Sequence, residues 1–248
     1  MKKITIILFT FLSLTVFGQD DLIELSKPIV DEGKRLYKSE MASWYGTDIF
    51  IEKYKDRANI GGYFSYSDND ISKCIFFSKE DKPKVIGTIS FDSTYNIQTA
   101  NTDLTERDFT ENETDIYEIR QLALSTINSD TLFKTYKNSS LNLIPLIHSG
   151  EKKVFILTGP KENGIVIFGN DYLLTFDKDN KLASKKQLHQ NIIPINFSAK
   201  GEGKEAEETI HSHLPETGDF ITATDICTLK KKKKFTNWKQ HNVVSNKY

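Results

Sequence analysis

Two histidines one residue apart, His211 and His213, are followed twelve residues later by an aspartate, Asp225. On an extended strand, side chains two positions apart point to the same face, so both imidazoles can converge on one point. Imidazole nitrogens and carboxylate oxygens are ordinary zinc donors, and Asp225, at the start of an apolar stretch with helical character, can return to the same ion. Three such ligands leave a fourth position for water, the arrangement of a catalytic rather than a structural zinc.

The order His211-Ser-His213-Leu-Pro215, a loop, then Phe220-Ile-Thr222-Ala-Thr-Asp225 resembles the JAMM metallopeptidases, the MPN-domain family, over the last third of the chain. In that family the pattern is His-x-His-Pro and then Ser-x-x-Asp. Here proline stands one position later, at Pro215, and Thr222 stands where serine is usual. The resemblance implies a cytidine deaminase-like α/β lobe, a helix after Asp225, and a following strand at Asn242-Val-Val-Ser245. It also implies an upstream glutamate as general base. Glu162, opening Glu162-Asn-Gly-Ile-Val-Ile-Phe-Gly169, fits that place best, and Glu151 second; either can equally be a solvated turn residue. The cluster Glu202, Glu205, Glu207 and Glu208 reads as a charged loop. With all parts in place, zinc would acidify its bound water, glutamate would take the proton, and the hydroxide would attack a peptide or isopeptide carbonyl. Thr222 would help to hold the oxyanion.

A different reading stays open beside this one. A His-x-His pair also occurs on half-exposed strands, and Pro215 to Asp219 is a turn sequence. The alternative to a zinc hydrolase is therefore a non-catalytic envelope or secreted protein whose JAMM-like lobe binds a partner or serves as scaffold. On either reading the partner is a peptide or protein.

The elements that must position these residues begin after a leader. Lys2-Lys3, the apolar run from Ile4 to Phe17 and the small residue Gly18 have the three regions of a secretory signal peptide, residues 1–18, with cleavage after Gly18. The chain is then periplasmic or secreted. No cysteine follows to take a lipid, and no later segment is apolar enough for stable membrane insertion. With 33 basic and 34 acidic residues in all, electrostatics give no case for nucleic acid. The five lysines from Lys230 to Lys234 read as solvated surface, or else as a site for an acidic partner or anionic membrane.

The fold class expected is α+β, with antiparallel sheets and a few helices. Helical spacing predicts one helix from residue 20 to about 44 and another from 113 to about 127. Short strands are expected at Thr47-Asp-Ile-Phe-Ile51, Gly62-Tyr-Phe-Ser-Tyr66, Cys74-Ile-Phe-Phe77 and Lys84 to Phe91, then at Val154 to Leu157, Ile165 to Phe168, Tyr172 to Phe176 and Ile192 to Ile195. Asp177-Lys-Asp-Asn180 lacks the glycine and distal glutamate of a calcium loop and reads as a hairpin turn. Two lobes are expected: residues 19–140, of unknown role, and 141–248, JAMM-like and either cut short at its end or closed by an edge strand. His189 is an accessory metal or substrate residue or a structural one, and His148 and His241 are expected to be structural. Cys74 and Cys227 can pair in an oxidising compartment, but Cys227 fits better as a small buried hydrophobe.

Overall fold

The computed structural model describes residues 17–197, 207–233 and 235–247. These form an α+β architecture of antiparallel sheets with three α-helices. Most of the expected leader, and part of the acidic stretch around Glu202 and Glu205, lie outside the described residues. Among the described residues no helix is long and apolar enough to cross a membrane.

Helix α1 (Phe17–Lys53) is much longer than expected, and it absorbs residues 47–51, which had been expected as a strand. The β-branched content of that window is overridden by spacing: Met41, Ala42, Tyr45, Ile49 and Phe50 recur at helical intervals and share one core cluster. Pro28 sits inside the helix without ending it. This face lies on a four-stranded antiparallel sheet, β1 (Ile60–Asp68), β2 (Ile71–Ser78), β3 (Val85–Phe91) and β4 (Asn101–Asp103), in sequential order. Phe50 stacks on Phe76 with ring centroids 3.8 Å apart.

Helix α2 (Glu111–Ser129) starts two residues before its expected position because Thr110 and Glu113 form a reciprocal capping box. It fills the space between sheets. Ile116 packs with Phe64, Ile75 and Val85 of the first sheet, whereas Ile119 and Ala123 pack with Val154, Ile156 and Leu174 of the second.

The second sheet is also a sequential antiparallel meander: β5 (Ser139–His148), β6 (Glu151–Pro160), β7 (Ile165–Phe176) and β8 (Leu182–Asn196). The segments expected at 165–168 and 172–176 are one strand, interrupted by a bulge at Gly169, Asn170 and Asp171. Gly169 has φ +75°, and a Cβ there would stand 2.1 Å from the Asn191 carbonyl oxygen, so the position requires glycine. Past the bulge Asp171 faces His189 across the ladder. Asp177 and Asn180 close the β7–β8 hairpin as expected, the Asp177 amide donating to the Lys181 carbonyl at 2.9 Å.

The chain ends in a crossover unit: β9 (Glu208–Ser212), α3 (Ala223–Lys232) and β10 (Gln240–Val244), with β9 and β10 paired in parallel. The helix expected after Asp225 begins two residues before it, at Ala223, and the strand expected at Asn242–Ser245 runs from Gln240 to Val244. Helix α3 docks on α1 where Gly33 lets Ile226 approach. Leu36 of α1, Ile144 of β5, Phe155 of β6 and Cys227 of α3 share one buried cluster, drawn from both sides of residue 140.

The lysines of α3 are not simply solvated. Lys231 pairs with the buried Glu40, Lys230 lies over the Tyr37 ring, and Lys232 lies over Trp44 and Phe235. Lys234 is outside the described residues. Cys74 and Cys227 are both buried free thiols, and burial raises the pKa of each.

Candidate metal centre

Strand β9 alternates as its sequence implies: Thr209 and His211 turn inward, Ile210 and Ser212 turn out. His213 follows on the inward face, held by its amide donating to the Val244 carbonyl at 2.8 Å. His211 and His213 therefore present their Nε2 atoms to each other at 3.0 Å. Asp225 is the third residue of α3. Thr222 caps the helix, its hydroxyl accepting from the Asp225 amide at 3.1 Å, and the Asp225 carboxylate accepts in return from the Thr222 amide at 3.0 Å. The same carboxylate oxygen also accepts from the Thr222 hydroxyl at 2.7 Å and lies 3.2 Å from His213 Nε2. The cap thus fixes the carboxylate in front of the imidazoles.

A fourth side chain completes the group. His189 of β8 places its Nε2 3.1 Å from His213 Nε2 and 3.7 Å from Asp225 Oδ2. His211 Nε2 is likewise 3.7 Å from Asp225 Oδ1. His189, His211, His213 and Asp225 are all buried, with one donor atom from each within 4.8 Å of the others, and together they can hold a metal ion.

The surrounding partners decide which way the imidazoles present their lone pairs. Asp171 accepts a hydrogen bond from His189 Nδ1 at 2.7 Å, which leaves Nε2 as the inward atom. His211 Nδ1 meets His241 Nε2 at 2.9 Å, and His241 Nδ1 meets the Thr209 hydroxyl at 2.7 Å. With His211 donating to His241 and His241 to Thr209, the lone pair of His211 Nε2 also points inward. Phe168 stacks on His241 at 4.7 Å and closes that side. His213 Nδ1 is buried without a hydrogen-bond partner.

The charge state suits a cation. Burial and neighbouring imidazoles, against the attraction of Asp225, lower His211 to about 4, so it is neutral at ordinary pH. Burial alone would raise Asp225, but His213, the other histidines and Thr222 bring it down to about 2, so it is ionised. Burial disfavours a charged His189, yet the hydrogen bond and charge of Asp171 raise its pKa. An ionised Asp225 beside the neutral His211 creates a demand for positive charge that a metal ion can meet.

Of the residues singled out in the sequence, His211, His213, Asp225 and Thr222 come together. The vacant fourth position expected beside three ligands is instead faced by the His189 imidazole. Glu162 lies exposed in the β6–β7 turn, its carboxylate accepting from Asn138 Nδ2 at 2.6 Å. Glu151 opens β6 and pairs with Lys153 at 2.7 Å. Neither joins the group. Asp171 went unnoticed and His241 was assigned only a structural place. The signal for both was pairing across strands, which a linear reading passes over.

No family model matches the chain, and no curated protein or solved structure matches it.

Proposed function

We propose that this is an exported zinc-binding protein in which His189, His211, His213 and Asp225 hold one zinc ion as a structural clasp. The observation that carries the reading is the spacing of the three imidazole Nε2 atoms and the two Asp225 carboxylate oxygens. Zinc bonds of about 2.0–2.1 Å place tetrahedral ligands roughly 3.3 Å apart, and the separations found are 3.0, 3.1, 3.2, 3.7 and 3.7 Å. Four protein donors in a buried site are the pattern of structural zinc. The ion would fasten β8, β9 and α3, three elements separate along the sequence. Export rests on the charged and apolar leader ahead of Gln19, and the role that fits is a binding or scaffold protein of the envelope or exterior.

A second reading, a hydrolase of peptide or isopeptide bonds, is favoured by one observation: the Thr222 hydroxyl and Asp225 carboxylate stand together beside His211 and His213, in the JAMM-like order. It requires His189 to yield a coordination position to water, and a base such as Glu162 to reach that water.

The test is elemental mass spectrometry of the purified mature protein beside His213→Ala and His189→Ala. About one zinc per chain, lost in both folded variants, is expected. Folded protein purified without chelator and free of zinc would sink the zinc reading. X-ray absorption separates the two roles: four protein nitrogen and oxygen ligands support the clasp, whereas a water ligand with retained zinc in His189→Ala supports the hydrolase.

A further inference from the structure

A cleft of ≈ 420 Å³ opens away from the metal centre, between α1, the β1–β2 hairpin, the start of α2 and the end of β5. Its volume lies in the range of small-molecule sites. Apolar walls come from Ile116, Pro145 and Ile147, and polar groups include Tyr66, Asn112 and Arg35.

Arg35 is the anomaly. Its Nε is buried with no hydrogen-bond partner, a costly state for a guanidinium that is always charged. Nearby carboxylates are already engaged: Asp31 with Lys34 at 3.1 Å, Glu32 with Lys153 at 2.9 Å, Asp68 with Lys73 at 3.1 Å and Glu113 with Arg107 at 2.6 Å. Glu151 shares Lys153 with Glu32, lying 2.7 Å from it, and its charge also acts on Arg35 through space without a hydrogen bond. Among the described residues no carboxylate is paired with Arg35. The Arg35 Nε donor is therefore left without an acceptor at the cleft.

We propose that this cleft binds a small organic carboxylate, a monoanion with an apolar body, with Arg35 as the anchor. A guanidinium fork matches the two oxygens of a carboxylate. One guanidinium with an unpartnered donor suits a single carboxylate rather than a phosphate dianion, because Lys73 is committed to Asp68. The apolar walls take the body of the acid.

Nuclear magnetic resonance titration of the ¹⁵N-labelled full-length mature protein with hexanoate tests this, beside hexanol and inorganic phosphate. Hexanoate is expected to bind and to shift the amides around Arg35, and hexanol to bind at least about tenfold more weakly, as loss of a charge-assisted hydrogen bond predicts. Arg35→Met keeps the apolar stem and removes the charge, and should weaken hexanoate by a similar factor. Asn112→Trp, at an exposed lining position, should block the cleft with Arg35 intact, so the proposal stays testable if Arg35→Met fails to fold. No shifts with hexanoate, equal affinity for hexanol, unchanged binding in a folded variant, or phosphate binding as tightly as hexanoate would each overturn the assignment.

Discussion

At the scale of single residues, the metal centre depends on partners that touch no metal. Asp171 fixes His189 through Nδ1, and such carboxylate–imidazole pairs raise ligand basicity and set the tautomer. Asp171→Asn keeps the shape and removes the charge. It is expected to weaken zinc binding about 10- to 100-fold, measured by competition with a chromogenic chelator; unchanged affinity would mean that Asp171 does not tune the site. His211 carries a pH signature in the metal-free protein. Its folded pKa is lowered to about 4 from 6.5, so the unfolded chain binds the extra proton first as pH falls. This contribution to stability is fully present above pH 6.5 and is lost between 6.5 and 4. His189, raised by Asp171, works in the opposite sense, its contribution being lost as pH rises through its folded pKa. His211→Gln should flatten the fall of the metal-free thermal midpoint between pH 6.5 and 4; a parallel fall in both proteins would contradict the assignment.

At the scale of elements, the site is assembled by the docking of α3 against α1. A Cβ on Gly33 would stand 2.7 Å from Ile226 Cβ and 2.9 Å from the Ala223 carbonyl oxygen. Glycine costs up to about 1 kcal/mol of helix propensity relative to alanine, yet the close approach requires it. Gly33→Val should destabilise the zinc-loaded protein by about 1–3 kcal/mol through overpacking. By displacing the first turn of α3 it should also weaken zinc binding, although it lies on a different helix from any ligand. A lowered denaturant midpoint with unaltered zinc affinity would separate helix docking from the site. The α1 register also explains why residues 47–51 belong to a helix. Their β-branched residues favour a strand locally, but burial of Ile49 and Phe50 on the face begun by Met41 outweighs a local preference worth less than about 1 kcal/mol.

At the scale of the whole molecule, the cluster around Leu36 ties α1 to β5, β6 and α3, and the proposed zinc clasp would fasten α3 to β8 and β9. Stripping zinc with a chelator should lower the thermal midpoint, and zinc should restore it. Occupancy at a thousand times Kd is worth about 4 kcal/mol, and a midpoint indifferent to zinc would remove its structural role. Leu36→Ala should cost roughly 2–5 kcal/mol and shift a single calorimetric transition, because its cluster joins α1, β5, β6 and α3. Two transitions, only one of them shifted, would instead divide the chain near residue 140. The sequence by itself determined the α+β class, the core of the helix from 113 to about 127, most strands and the group His211, His213, Thr222 and Asp225. Each of these rests on local periodicity or a short spacing, which a linear reading can see. Only the tertiary structure decided that His189 faces those ligands, that Asp171 and His241 stand behind them, and that Glu162 stays outside. Those placements depend on strand register and a bulge at Gly169, where one residue of slip reverses the face of a side chain.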